Sequence, residues 1–216
     1  MFDWEFAISI LPALLKALRV TLQATLVGIS IALLLGLVWA FLGHSGRGLP
    51  AKVTAASVEF IRSTPLLVQI YFLFYVAPNF GLTLSPFSAG TLALGLHYSA
   101  YTAEVYRAGI EGVPSGQWEA ALSLNMGRFL TWRSVILPQA IPPVIPALGN
   151  YLVAMFKETP LLAAITVMEL LQTAKIIGAQ TFRYLEPLTL VGLLFLAVSL
   201  VASRLVRRLE VRFGSR

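Results

Sequence analysis

The 216-residue chain contains no cysteine, which removes disulfides and thiolate metal sites from consideration. Charge is scarce too: 12 % of residues are Asp, Glu, Lys or Arg, where a soluble domain carries about 25 %. The 2 histidines, His44 and His97, are isolated, and a lone imidazole with no second ligand nearby does not argue for a metal. No GxxxxGK[ST] stretch occurs, so the chain lacks the phosphate loop that ATP hydrolysis needs. No Ser/His/Asp or paired-carboxylate constellation appears either, which counts against an integral-membrane enzyme. The first residues carry Asp3 and Glu5 instead of a basic stretch, so no cleaved signal peptide is expected.

What fills the space is apolar. Hydrophobic residues make up 57 % of the chain and its mean hydropathy is +0.80. Uncharged windows run over 20–43, 63–103, 134–156 and 187–203. A helix crossing the hydrocarbon needs roughly 20 apolar residues. The window over 63–103 is too long for one crossing and is broken by Pro78-Asn79-Phe80-Gly81 and Ser85-Pro86, residues that mark a turn. The chain therefore reads as one all-α integral membrane domain over 1–216, with five transmembrane helices at about 20–43, 55–77, 88–110, 140–157 and 187–204.

The net charge of +6 is read as topology and not as affinity for nucleic acid. With the N-terminus outside, Arg47, Lys52, Arg107, Arg128, Arg133 and the arginines from Arg204 to Arg216 lie inside, against Lys16, Arg19, Lys157, Lys175 and Arg183 outside. The excess sets the Arg-rich tail in the cytoplasm. Residues 6–19 suit an interfacial segment ahead of the first span, and 43–48 an inner loop. Pro138, Pro142, Pro143 and Pro146 predict a broken lead-in, with regular helix from about Pro146. The apolar stretch 159–168 is too short to cross and reads as re-entrant or interfacial on the outer side.

A polar segment, 112–138, sits between the third and fourth spans. Ser115 suits a helix N-cap, Ala120, Ala121, Leu122 and Leu124 supply a compact apolar face, and Gln117 and Glu119 stay wet. Asn125-Met126-Gly127 ends the helix, since asparagine and glycine accept a left-handed backbone there. Helix chemistry alone leaves two readings open: a solvated loop helix, or a short helix whose small alanines let a partner approach.

Glu119-Ala120-Ala121, a turn residue six positions after the glutamate, and Val135-Ile136-Leu137-Pro138 resemble the EAA signature of permease subunits from ATP-binding-cassette importers. Glu59-Phe60-Ile61-Arg62-Ser63-Thr64-Pro65-Leu66-Leu67-Val68-Gln69 is similar to the second-helix motif of the polar amino-acid subfamily, the histidine, glutamine and arginine permeases. Tyr101-Thr102-Ala103-Glu104-Val105-Tyr106-Arg107-Ala108-Gly109-Ile110 with Val113-Pro114-Ser115-Gly116-Gln117 resembles its third helix and loop, and Lys157-Glu158-Thr159-Pro160-Leu161 its Lys-Asp-Thr-Ser-Leu segment. Asn125 stands where the family usually has glycine, and Glu158 and Pro160 replace an aspartate and a serine.

The resemblance implies the type I ABC importer permease fold in the bacterial cytoplasmic (inner) membrane. It implies a cytoplasmic coupling helix at about 115–126, with Ser115, Gly116, Glu119, Ala120, Ala121, Asn125 and Gly127 meeting the ATPase. The implied partners are two copies of a cytoplasmic ATP-binding subunit, a second permease subunit (identical or related), an extracytoplasmic solute-binding protein and membrane lipid. No cofactor is expected on this chain; ATP and Mg sit on the partner ATPase. The implied solute is a polar amino acid, and overall similarity, including Met1-Phe2-Asp3-Trp4, extends the range to a compatible solute such as ectoine. A secondary transporter is the competing reading, against which stand the small size, the odd span count and the lack of an inverted repeat.

Ionisable and polar residues within spans mark candidate sites. Glu104 and Arg107, and likewise Glu59 and Arg62, have the i,i+3 spacing of ion pairs, structural or at a gate, with direct solute contact as the alternative. His97, Tyr98 and Tyr101 form a polar-aromatic stripe that either packs against other helices or lines a cavity. Asn150, Lys157 and Glu158 at the outer end of the fourth span, and Gln69, are the further pathway candidates.

Overall fold

The computed structural model describes residues 2–44 and 48–213. The elements are α1 (Trp4–His44), α2 (Leu49–Ser63), α3 (Leu66–Tyr71), α4 (Pro86–Glu111), α5 (Ser115–Ser123), α6 (Arg128–Thr131), α7 (Leu137–Glu158), α8 (Leu170–Thr181) and α9 (Leu185–Phe213). Of the expected inner loop, residues 45–47 lie outside the described residues, as does Arg216.

No separate interfacial segment precedes the first span. α1 is one helix of 41 residues that runs through Pro12. Its start is capped by Asp3, whose Oδ1 accepts from the amides of Glu5 and Phe6 at 3.0 and 3.1 Å. Ala7, Ile10, Leu14 and Ala17 then recur at helical spacing, and the last three are buried against Leu170, Ala174 and Val191 of α8 and α9. That stripe holds the N-terminal turns to the protein.

α1 and α4 pack closely and in parallel. A methyl at Gly36 would collide with Thr102, whose Oγ1 donates to the Ala32 carbonyl at 2.8 Å. α7 runs antiparallel on the other side of α4, where a side chain at Gly109 would meet Val144 and the Ala140 carbonyl. The central core gathers Ala24, Ile29, Ile70, Leu94, Met155 and Leu162 between these helices.

α2 and the segment Leu66–Phe80 meet at 103°. Pro65 has no N–H to give the Ile61 carbonyl, and its ring disfavours helix at Thr64. The Gln69 amide substitutes, donating to Ile61 O at 2.8 Å and Thr64 O at 3.0 Å.

Trp4–Gly43, Arg128–Ile165 and Leu185–Phe213 are long and apolar enough to cross a membrane, and the bent pair adds a fourth if it counts as one span. α4 has the length, at 26 residues, but carries His97, Ser99, Thr102, Glu104 and Arg107. Enclosed by its neighbours, it has less need of an apolar surface.

The fourth span departs from expectation at its start. Regular helix begins at Leu137, not Pro146, and continues through Pro142, Pro143 and Pro146. The break lies upstream, in a π-helical turn at Trp132–Ile136. Proline has a helical φ, so each ring removes one hydrogen bond without forcing the chain out of the helix here. Beyond α7, Thr159–Ile165 forms a 3-10 turn with Thr159, Leu162 and Ile165 buried, so protein covers the irregular backbone. Glu169, fully buried, caps α8 by accepting from the amides of Leu171 and Gln172 at 2.9 and 2.6 Å.

Candidate functional site

Three groups of side chains claim attention, the first on α5. This nine-residue helix is capped by the extended backbone of Pro114, whose carbonyl accepts from Gln117 N at 2.9 Å. Ser115, expected as the cap, is instead the first helical residue and makes no capping bond. The proline already supplies the half-in residue.

Trp118 packs edge-on against Trp132 at 5.4 Å and Ala121 is buried at 2 %, so one side of α5 rests on the π-helical turn. Of the expected apolar face, only Ala121 points inward. Ala120 is exposed, and Leu122 and Leu124 are 78 % and 75 % exposed. Ser115, Gly116 and Glu119 share the open side. The helix closes in a Schellman turn: Met126 N donates to Ala121 O at 3.0 Å and Asn125 N to Leu122 O at 2.9 Å. Asn125 takes φ 52, the left-handed value, whereas Gly127 is extended and caps α6.

The second group is a ring cluster in the middle of α4. His97 packs on Tyr98 and Tyr101, and both tyrosines meet Tyr151 of α7, with neighbouring ring centroids 5.2 to 6.1 Å apart. The Tyr98 hydroxyl donates to Glu158 at 2.8 Å. Glu158, the last residue of α7, thereby meets α4 twelve residues beyond its start. Tyr151 was missed by sequence reasoning. The signal was its spacing of seven residues from Glu158, two turns on one face.

Other expected pathway residues are not in this cluster. Asn150 donates to Glu210 of α9 at 3.2 Å, Lys157 is exposed, and Gln69 serves the bend. Among the described residues, no group of His, Asp and Glu is arranged to hold a metal.

The third group lines a cleft of about 270 Å³ between α1, α2 and α4, and includes Glu59, Arg62, Glu104 and Arg107. Arg107 bonds Glu104 and Glu111, both at 2.6 Å. Glu59 and Arg62 do not pair, contrary to their spacing. Glu59 accepts from Ser63 Oγ at 3.3 Å, and the Arg62 guanidinium stands over the Tyr101 ring, 5.5 Å from its centroid.

Residues 28–215 match the family described as the binding-protein-dependent transport system inner membrane component. The chain belongs to this family. A probable amino-acid ABC transporter permease of Sinorhizobium fredii is 52 % identical over 222 residues, covering 100 % of this chain and 96 % of that protein. The glutamine transport system permease of Escherichia coli is 34 % identical over 213 residues, covering 98 % and 97 %. The crystal structure of an amino acid ABC transporter with histidines aligns with a TM-score of 0.92 at 36 % identity, covering 98 % of this chain and 99 % of that one. As an inner-membrane component of such a system, this multi-pass permease is not itself catalytic and works with an ATPase and a solute-binding protein.

Proposed function

We propose that the chain forms the path by which a polar amino acid enters the cell, driven by ATP on partner subunits. Two permease subunits, identical or related, stand above two ATPases, and the chain itself holds no nucleotide or metal. α1, the α2–α3 pair, α4, α7 and α9 are its five crossings, with the N-terminus outside and the tail in the cytoplasm. α5 is the coupling helix. The relatives named above carry glutamine or histidines in their descriptions. That narrows the solute to an amino acid and gives no support to ectoine.

The observation that carries this reading is the open side of α5, with Leu122 and Leu124 uncovered while Trp118 and Ala121 anchor the other side. An ATPase groove seated there would bury those leucines and Glu119. Closure of two ATPases would then push the helix, and through its anchor on the π-helical turn, move α7. The ring cluster suits the solute. Glu158 meets an ammonium, and the tyrosine faces pack against the side chain. The Glu104–Arg107–Glu111 chain lies toward the α5 end, as an inner gate or a structural brace.

The test uses the complete complex in proteoliposomes with labelled glutamine and its binding protein. Uptake should need ATP and ignore an ionophore. Glu119→Lys and Ala121→Trp should leave ATP hydrolysis running without uptake, and normal uptake in both would remove the role given to α5.

A further inference from the structure

The cleft between α1, α2 and α4 holds two kinds of charge. Glu104, Arg107 and Glu111 satisfy one another through short bonds. Glu59 and Arg62, one helical turn apart, turn to different neighbours, and neither makes an ion pair among the described residues. Both side chains are exposed, at the open cleft. An acid and a base standing unpaired one turn apart suit a ligand that carries both opposite charges. An α-amino acid is such a ligand.

We infer that this cleft is a second amino-acid site, which binds the main-chain zwitterion with its carboxylate on Arg62 and its ammonium on Glu59. The inference rests on the reading of the chain as an amino-acid permease. The guanidinium fork suits bidentate contact with a carboxylate, and a π-face is a partner it leaves for a full charge. The cleft volume of about 270 Å³ equals roughly nine water molecules, the scale of a small amino acid. Trp39 and Val58 supply apolar wall, with the indole N–H already given to Ser99 at 3.0 Å, and Thr54, Glu104 and Arg107 also line it. Glu104 and Arg107 are already paired, so no free charge there selects a side chain, and the site accepts amino acids of many kinds.

Position gives the site a use. The Tyr101 ring belongs both to the ring cluster and to the resting place of Arg62. An amino acid leaving the cluster toward the α5 end meets Arg62 next. The cleft is thus a seat for solute on its way out, and cytoplasmic amino acids compete for it.

Equilibrium dialysis of the permease–ATPase complex in lipid nanodiscs, without binding protein or nucleotide, tests this with radiolabelled L-alanine. Alanine and glutamine should both saturate a site, with affinities within about ten-fold of each other. In the wild-type complex, alaninol (no carboxylate) and N-acetylalanine (no ammonium) should compete at least about ten-fold more weakly. Arg62→Gln and Glu59→Gln should each weaken alanine by about ten-fold or more, with Arg62→Lys intermediate because it keeps charge without the fork. Absence of saturable alanine binding, or binding indifferent to alaninol and to both variants, overturns the proposal. Failure of the transport reading shows separately, as no ATP-dependent glutamine uptake by the complete wild-type complex with its binding protein.

Discussion

At the break between α2 and α3, one side-chain amide stands in for a main-chain donor that proline removed. Gln69→Leu keeps the volume and deletes both bonds, leaving the carbonyls of Ile61 and Thr64 without it. The expected cost is about 1–3 kcal/mol, read as a lower midpoint in thermal unfolding of the solubilised protein. The ring cluster gives a second prediction at this scale. Tyr98→Phe takes the hydroxyl from Glu158 without changing the packing, and glutamine uptake should show KM altered by about ten-fold with the complex still assembled. Single residues were only partly legible in the sequence. The i,i+3 spacing was honoured by Glu104 and Arg107 but not by Glu59 and Arg62, since spacing permits a pair while the Tyr101 face competes for the guanidinium. Asn150 looked equivalent to Glu158 as a polar residue on α7. Its partner on α9, 60 positions away, was beyond any local pattern.

Helices and turns were the most readable level where local chemistry decides them. The end of α5 is an example: Asn125 is a residue that tolerates the left-handed backbone, and it adopts φ 52. Asn125→Gly should leave coupling intact, whereas Asn125→Val should cost roughly 1–2 kcal/mol and loosen the Schellman turn. The ratio of solute imported to ATP hydrolysed should then fall in the valine variant alone. The start of α5 was less legible, because a serine is the better cap by composition while Pro114 provides the geometry. The lead-in to α7 was misread for a related reason. Four prolines suggest a broken helix, yet the break falls at Trp132–Ile136, where no proline stands. α8 was absent from the sequence reading altogether: its cap is a glutamate, which is not among the usual capping residues, and its start is buried against α1.

At the scale of the whole chain, the N-terminus is tied to the start of the last helix. Arg183, in the turn between α8 and α9, bonds Asp3 at 3.1 Å and Glu186 at 2.8 Å, with its guanidinium 4.2 Å above the Phe6 ring. The Phe6 amide, then Arg183, hold the Asp3 carboxyl below its ordinary value. A carboxyl lowered in the folded state stabilises it above its unfolded value and loses that contribution as pH falls through the lowered one. The tie should therefore hold at neutral pH and release only below the usual carboxylate range. Spin labels on a Phe2→Cys, Phe182→Cys protein, made simple by the cysteine-free background, should separate on acidification, and Arg183→Gln should separate them at pH 7. The long first helix has a consequence of its own. Its 41 residues make a rod of about 60 Å, twice the thickness of the oily layer it stands in. Such a mast trades angle for height, so thicker or thinner bilayers change its lean instead of stranding its ends.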